Sequence, residues 1–238
     1  MSVSIVIPFY NEEDCFQEML SSLTNQLESD RIDYQLILVD NGSWDATGIL
    51  IDEAVKKNSC LKKVSVTKNQ GYGWGIINGL NAADGKFVGY MCGDGQVGAE
   101  DVSKVIRLTL QSPCDMVKVN RIERNDGWLR VSITRLFNWT VPFIFGLESR
   151  DLNGTPKIFQ KKLLKELDLE SKDWFIDVEI MVKSKQLGLK IHEVPIKFEA
   201  RQKGASHVSA LKAIYEFLKN TYSFKTGKSF KRWKKSKR

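Results

Sequence analysis

The sequence predicts a single-domain α/β fold, in which helices flank a mostly parallel sheet. Strand-like runs alternate with helix-like runs through the first half of the chain, as is typical of parallel sheets whose crossovers are helical. The run from Leu36 to Val39 is continuously apolar, which favours a strand buried on both faces. Loops rich in Gly, Asn and Asp follow the strands, at the edge where open parallel sheets bind ligands.

The elements of the first half follow one another regularly. Apolar, β-branched runs predict strands at Val3–Pro8, Tyr34–Asp40, Leu61–Thr67 and Phe87–Met91. Apolar residues at helical spacing predict helices at Glu12–Gln26, Ile49–Lys57, Trp74–Ala83 and Val102–Leu110.

The second half is less regular. Its predicted elements are helices at Trp128–Gly146, Lys161–Leu167, Phe175–Leu187 and Ser209–Tyr222, and strands at Thr155–Phe159 and Lys190–Phe198. The helix from Ser209 is amphipathic, with Leu218 and Tyr222 among the residues on its apolar face. We therefore divide the chain into a domain at 1–207, an amphipathic helix at 208–224 and a basic tail at 225–238.

Composition indicates a globular protein of a reducing compartment. Hydrophobic residues make up 42% and charged residues 27% of the 238 residues, which is ordinary for soluble domains. The cysteines are scattered, with no CxxC pair, which favours free thiols over disulfides or a zinc site. The N-terminus has no signal-peptide pattern, and no apolar run approaches the about 20 residues of a spanning helix. We expect a cytoplasmic protein, either soluble or peripheral to the membrane.

The segment from Phe87 to Gln96 carries the first indication of chemistry. A strand-like run ends in a turn that presents the Asp94 carboxylate and the Gln96 amide two residues apart. Such a turn can hold a hard divalent cation against phosphates. Asp and Gly are also common turn formers, so the segment alone leaves an ordinary turn open.

Four further motifs resemble those of family-2 glycosyltransferases of the GT-A (Rossmann-like) fold. They are IVIPFYNE at Ile5–Glu12, LVDNGSWDAT at Leu38–Thr47, NQGYG at Asn69–Gly73 and RQKGAS at Arg201–Ser206. Their order and spacing cover roughly residues 3–207. Within that family, the pattern is most similar to dolichyl- or polyprenyl-phosphate mannose and glucose synthases.

The resemblance implies a site for a nucleotide-sugar donor, either GDP-mannose or UDP-glucose. The donor-binding residues it implies are Pro8, Tyr10, Glu12, Asp40, Gly71, Gly73, Asp94, Arg201 and Ser206. Pro8, Tyr10 and Glu12 would line the base and ribose pocket. Asp40 also fits an Asx-turn or helix cap, and the two glycines also fit a plain loop. Lys203 is a secondary candidate, and His207 has no assigned role.

The resemblance also implies a divalent metal, Mg²⁺ or Mn²⁺, held by Asp94 and Gln96. These two residues match the end of the family's D-x-D-x-Q element, but Cys92 stands where the first Asp is usual. A neutral thiol is a poor ligand for Mg²⁺. We therefore expect weaker metal binding, or coordination that depends more on the diphosphate and water.

On the acceptor side, the resemblance points to a phosphate. Arg130 and Thr134 match an R-x-x-x-S pattern that grips the acceptor phosphate in the polyprenyl-phosphate relatives, with Arg121 and Arg135 nearby. Guanidinium groups suit phosphate because they donate in a planar fork. A solvated basic helix face is the alternative interpretation.

The nature of the acceptor decides whether a general base is needed. A phosphate monoester is ionised near neutral pH and can attack the anomeric carbon without a base. A saccharide hydroxyl would need one, and Asp177 sits where hydroxyl-acceptor relatives carry it. Asp151 is another acid expected to face the site. A single displacement implies inversion. A non-catalytic nucleotide-sugar or nucleic-acid binding module remains a further alternative.

The net charge of +7 is concentrated in the tail. Residues 225–238 contain eight Lys or Arg and no acid, so residues 1–224 carry −1. A basic tail with Phe230 and Trp233 suits an anionic membrane surface, with the aromatics at the interface. Nucleic-acid binding and a solubilising tail are the less favoured interpretations. A membrane partner protein is also possible.

Overall fold

The computed structural model describes residues 1–122, 139–149, 151–197 and 210–237, with the backbone alone for residues 210–217. Seven strands form one sheet in the order β3-β2-β1-β4-β6-β5-β7. They are β1 (Val3–Phe9), β2 (Tyr34–Asp40), β3 (Leu61–Ser65), β4 (Phe87–Tyr90), β5 (Met116–Ile122), β6 (Lys157–Gln160) and β7 (Ile191–Lys197).

Helices cover both faces of this sheet. They are α1 (Glu13–Ser29), α2 (Thr47–Lys57), α3 (Tyr72–Asn81), α4 (Ala99–Gln111), α5 (Leu163–Leu167), α6 (Ile176–Gln186), α7 (Ala210–Thr226) and α8 (Lys228–Ser236). Residues 139–145 are also helical. Among the described residues, no helix combines the length and apolarity needed to cross a membrane.

The strand order places a crevice beside β1. Strands β3, β2, β1 and β4 are parallel, and β1 pairs with β2 on one side and with β4 on the other. The chain order therefore reverses between β1 and β4, and ligands of open α/β sheets bind outside the carboxyl ends at such a switch point. The loops after β1 and β4 contain Tyr10, Glu12, Asp94 and Gln96.

Each face of the sheet packs against its own apolar cluster. Ile5 and Ile7 face a cluster that includes residues of α1, α2 and α4. Val6 faces the opposite cluster, which includes residues of α3 and α6. The alternation of side chains along β1 thus contributes to both layers, and the predicted sheet with helices on both faces is confirmed.

Two elements of the structure, strand β5 and helix α8, were not predicted. Strand β5 was not predicted, because Lys118 and Arg121 read as polar positions although both are largely buried here. The tail is helical from Lys228 to Ser236, and Trp233 is only 6% exposed because it packs on the body of the protein. The expectation that Trp233 lies at a membrane interface is therefore wrong.

Candidate active site

The loops after β1 and β2 are joined by hydrogen bonds. Asn11 adopts a left-handed backbone with φ 54°. Its N–H donates to Ser43 Oγ at 3.2 Å, and its Oδ1 accepts from the Trp44 N–H at 3.0 Å. The Glu12 N–H donates to Thr47 Oγ1 at 3.0 Å. These bonds fix the backbone of two motifs that were predicted to bind the donor.

Asp40 ends β2, and its carboxylate binds the backbone of the loop that follows. Its Oδ1 accepts from the Ser43 N–H at 2.9 Å, and its Oδ2 lies over Gly48, where an added Cβ would come within 2.6 Å. Asp40 therefore has a structural role, because it holds the backbone of this loop. Pro8 lies in β1 opposite Val39, and Tyr10 is exposed at the crevice.

The glycines of the loop before α3 pack against another backbone segment. Gly71 has φ 116°, and a Cβ there would lie 2.4 Å from the Lys172 carbonyl oxygen. A Cβ on Gly73 would lie 2.3 Å from the Ser171 carbonyl oxygen. The Trp74 N–H also donates to the Lys172 carbonyl oxygen at 2.9 Å. Close approach to residues 171–173 therefore requires both glycines, whether or not a nucleotide also approaches them.

In the turn after β4, the Cys92 thiol lies within reach of two hydroxyl groups. Cys92 Sγ lies 3.3 Å from the Tyr72 hydroxyl and 3.8 Å from Thr155 Oγ1. Burial, together with the negative charge of Asp94, raises the pKa of the Cys92 thiol to about 12. A thiol kept neutral in this way is a poor ligand for a hard divalent ion.

Asp94 and Gln96 are the two residues of this turn whose side chains carry oxygen atoms. Asp94 Oδ1 accepts from the Gln96 N–H at 3.2 Å, and a cavity of about 180 Å³ opens beside Asp94 against α1. In the described parts of the chain, no three His, Cys, Asp or Glu side chains cluster as a metal site. Mg²⁺ is commonly held by one or two carboxylates plus substrate phosphates and water. The residues present fit an ion of that kind.

Asp177, the candidate general base, is buried in an ion pair. It is 2% exposed and lies in the first turn of α6. Its Oδ1 accepts from the Tyr90 hydroxyl at 2.6 Å and from the Nζ of the fully buried Lys157. The same oxygen is thus held by two donors, one of them a cation.

Asp151 and Arg121 form a second buried pair. Arg121 donates from Nε and Nη2 to the two carboxylate oxygens of Asp151, at 2.7 and 2.8 Å. Burial opposes ionisation of Asp151, but the hydrogen bonds and charge of Arg121 lower its pKa to about 2. The charge of Arg121, which was predicted to meet the acceptor phosphate, is balanced by this carboxylate.

Lys118 connects the backbone at Asp151 to Glu193 on β7. Its Nζ donates to the Asp151 carbonyl oxygen at 2.6 Å and lies 3.3 Å from Glu193 Oε1. Burial, reinforced by the charge of Lys157, lowers the pKa of Lys118 to about 8. Neither Lys118 nor Lys157 was predicted from the sequence to lie near the site, since a lysine within a strand pattern gives no indication of the carboxylate that it will meet.

The remaining predicted site residues lie outside the described residues. They are Arg130, Thr134, Arg135, Arg201 and Ser206, together with the secondary candidates Lys203 and His207. Their assignments stay predictions.

A family model described as "Glycosyl transferase family 2" matches residues 4–169. The chain belongs to glycosyl transferase family 2. The match includes β1, the Asp40 turn, the glycine loop and the Asp94 turn.

Curated relatives within this family carry one activity in their names. Undecaprenyl-phosphate 4-deoxy-4-formamido-L-arabinose transferase of Edwardsiella ictaluri (strain 93-146) is 27% identical over 214 residues, which is 89% of this chain and 64% of that protein. The protein of that name from Pseudomonas fluorescens (strain Pf0-1) is 28% identical over 89% of this chain and 62% of its own length. The chain thus spans less than two thirds of the length of these relatives.

Solved structures share the fold of this family 2 chain. Glucosyl-3-phosphoglycerate synthase from Mycobacterium tuberculosis, in complex with Mn²⁺ and UDP-glucose, superposes with a TM-score of 0.71 at 21% identity, covering 95% of this chain and 79% of that chain. The complex of that synthase with Mg²⁺ and UDP superposes with a TM-score of 0.69 at 21% identity. This match covers 93% of this chain and 77% of that chain. The predicted GT-A fold is confirmed.

Proposed function

We propose that this chain is an inverting glycosyltransferase that moves a sugar from a nucleotide diphosphate sugar to a polyprenyl phosphate. Family membership and the names of the undecaprenyl-phosphate relatives support this class. The observation that carries the choice of acceptor is the burial of Asp177 against Lys157 and Tyr90. A carboxylate held in this way does not reach an acceptor hydroxyl as a base.

The proposed step needs no proton transfer at the acceptor. An ionised phosphate oxygen of the acceptor attacks the anomeric carbon and forms the new C–O bond. The bond between that carbon and the β-phosphate oxygen breaks, and its electron pair leaves with the nucleoside diphosphate. One displacement inverts the anomeric carbon.

Residues at the switch point would serve the donor. Asp94 and Gln96 would hold Mg²⁺ or Mn²⁺, and an ion there would stabilise the negative charge of the leaving diphosphate. Tyr10, Glu12 and Asp40 would contact the base and ribose. These assignments follow the motif positions, and the structure brings the loops of β1, β2 and β4 to one edge of the sheet.

The acceptor phosphate would be bound by arginines. Arg121 is anchored by Asp151, and we propose that Arg130, Thr134 and Arg135 complete the phosphate site. Arg201 and Ser206 would contact the donor diphosphate.

The donor sugar remains to be chosen by experiment. GDP-mannose and UDP-glucose are the proposed donors, and the relatives' names add 4-deoxy-4-formamido-L-arabinose as a candidate sugar. Thermal shifts with each donor and Mn²⁺ will rank them, because a ligand that binds only the folded state raises the melting temperature.

Replacing the buried pair tests the acceptor class. Asp177→Asn alone leaves Lys157 charged and buried, which costs about 3–5 kcal/mol of stability. We therefore combine it with Lys157→Met, which makes both positions neutral. The double variant should transfer sugar to a polyprenyl phosphate at a rate within about tenfold of the wild type, measured with radiolabelled donor.

The opposite outcome would assign Asp177 to catalysis. A general base contributes about 10²- to 10⁴-fold to the rate. A folded double variant that binds donor normally but loses turnover by that factor would contradict the phosphate-acceptor mechanism. Lys157→Met alone keeps the Asp177 carboxylate; it should lose about 3–5 kcal/mol of stability because that charge is then unpaired, so its turnover is compared per folded protein.

A further inference from the structure

Two neighbouring helical segments expose large apolar side chains. Trp139 and Phe143, four residues apart, are 70% and 81% exposed, and their rings stack with centroids 6.2 Å apart. Leu218 and Tyr222, four residues apart on α7, are 63% and 72% exposed. Exposed aromatic and aliphatic pairs at helical spacing mark surfaces that meet an apolar partner.

The two exposed pairs lie on neighbouring segments. Phe145 and Phe224, on the inner faces of the two segments, meet edge to face with centroids 6.1 Å apart. Both pack on the cluster that also contains Val141. The inner faces of both segments therefore share one cluster, and their outer faces, which carry Phe143 and Tyr222, are exposed to solvent.

Helix α8 places positive charge next to this surface. Its aromatic residues face inward: Phe230 stacks on Phe224 with centroids 4.4 Å apart, and Trp233 donates from Nε1 to the Glu166 carbonyl oxygen at 2.9 Å. The cations are therefore turned outward. The exposed ones include Lys228, Lys231, Arg232 and Lys235, and Lys225 near the end of α7 is also exposed. The sequence has no acidic residue from Leu218 to its end.

We propose that this face, made of residues 139–145, α7 and α8, docks on an anionic lipid bilayer. Trp139, Phe143, Leu218 and Tyr222 would enter the interface, and the cations of α8 would meet the lipid phosphates. Each Lys or Arg near an anionic leaflet adds to the attraction, and interfacial aromatics add apolar burial. A nucleic acid would use the cations but would leave the aliphatic Leu218 without a matching surface.

This inference deepens the proposed function, since a polyprenyl phosphate resides in the bilayer on which the enzyme would dock. The apolar contact with the bilayer would be made by residues 139–145 and α7, whereas the sequence predicted that Phe230 and Trp233 of the tail would make it. The aromatics of α8 instead attach the basic helix to the protein.

Vesicle sedimentation tests the proposal independently of catalysis. The full chain is mixed with vesicles of phosphatidylcholine, or of phosphatidylcholine with about 30% phosphatidylglycerol, without donor and without polyprenyl phosphate. We expect the wild type to bind the anionic vesicles at least tenfold more tightly than the neutral ones. The variant Phe143→Ser with Leu218→Ser should lose at least tenfold in binding to the anionic vesicles.

Ile49→Ser is the matched control, because Ile49 is a 63% exposed aliphatic residue on α2, which packs on the opposite face of the sheet. It should bind like the wild type, and thermal melts should show that all variants are folded. The proposal is overturned if the double variant binds anionic vesicles as tightly as the wild type, or if Ile49→Ser and the double variant lose the same amount of vesicle affinity. It is also overturned if the protein binds single-stranded RNA but not anionic vesicles. Transfer to a water-soluble short-chain prenyl phosphate tests the proposed function separately.

Discussion

Buried charges near the candidate site are paired one with another. Lys157 pairs with Asp177, Lys118 with Glu193, and Lys183 with Glu179 at 2.6 Å. Removing one member of such a pair leaves an uncompensated charge, which costs about 3–5 kcal/mol. Asp177, which the sequence suggested as a general base, therefore has a structural role in the interior. Asp94 differs from them, because it borders the open cavity beside α1.

Cys92→Asp should strengthen metal binding at the turn after β4. The new carboxylate would lie two residues from Asp94, in the position where the family pattern places an Asp. Two neighbouring carboxylates attract a divalent ion more strongly than one. We expect Mn²⁺ affinity in the presence of nucleoside diphosphate to rise about tenfold, equivalent to about 1.4 kcal/mol, by isothermal titration calorimetry.

Cys92→Asn separates this charge effect from the loss of the thiol. Asn has the shape of Asp but no charge, so its Mn²⁺ affinity should stay near that of the wild type. An equal gain in both variants would show that removal of the thiol, and not the added charge, governs the metal.

At the scale of elements, residues 171–174 connect the glycine loop to the C-terminal helices. Trp174 stacks on Tyr72 with ring centroids 4.1 Å apart. Asp173 Oδ2 accepts from Asn220 Nδ2 of α7 at 2.6 Å, and Asp173 Oδ1 accepts from the Phe175 N–H before α6 at 2.8 Å. A shift of α7 would therefore act on the loop beside the candidate donor site.

Gly71→Ala should break the contact between the two loops. Alanine disfavours φ 116°, and its Cβ would lie 2.4 Å from the Lys172 carbonyl oxygen. Backbone strain and overpacking each cost about 1–3 kcal/mol, so we expect unfolding free energy to fall by about 2–4 kcal/mol in urea titrations.

Gly98→Ala provides the comparison. Gly98 precedes α4 with φ −60°, and an added Cβ meets nothing within 4 Å. Its unfolding free energy should change by no more than about 0.5 kcal/mol. Equal losses in the two variants would mean that the contact with residues 171–173 does not constrain Gly71.

At the scale of the whole molecule, the C-terminal helices are part of the folded body. Trp233 lies under Lys183, whose Nζ is 5.2 Å from its ring, and Lys237 pairs with Glu166. Ser229 donates to Glu170 on the same surface. The basic helix α8 is thereby held in a fixed place beside the exposed apolar face. This fixed placement distinguishes it from a free solubilising tail.

Trp233→Ala should release α8 without unfolding the sheet. The change removes a buried indole, a loss of about 3–5 kcal/mol in protein cores, and the contacts of α8 described above are with α5, α6, α7 and Glu170 rather than with β1 or β2. We expect hydrogen exchange of residues 228–236 to accelerate by at least tenfold, while the exchange of β1 and β2 is unchanged.

Trp233→Phe keeps an aromatic ring but loses the hydrogen bond to Glu166, so its effect should be smaller, about 1 kcal/mol. If α8 in Trp233→Ala exchanged at the wild-type rate, other contacts would have to hold the helix.

Local patterns in the sequence predicted much of the fold. Apolar runs identified β1, β2 and β4 within one or two residues, because burial on both faces leaves a continuous signature. The polar loops that follow β1, β2 and β4 were also recognised, and the parallel arrangement brings them to one edge. Strand β5 escaped prediction, since the buried Lys118 resembles a solvated residue unless its partner is known.

The sequence by itself determined most of the order of elements and the polar loops after β1, β2 and β4, because periodicity and turn chemistry are local, and the resemblance of its motifs implied the GT-A fold. Only the tertiary structure decided that Lys157 forms an ion pair with Asp177, that packing against residues 171–173 requires Gly71 and Gly73, and that Trp233 faces inward. These facts depend on which groups meet across the fold. A side chain's type limits its possible partners, but the packing of distant segments chooses among them.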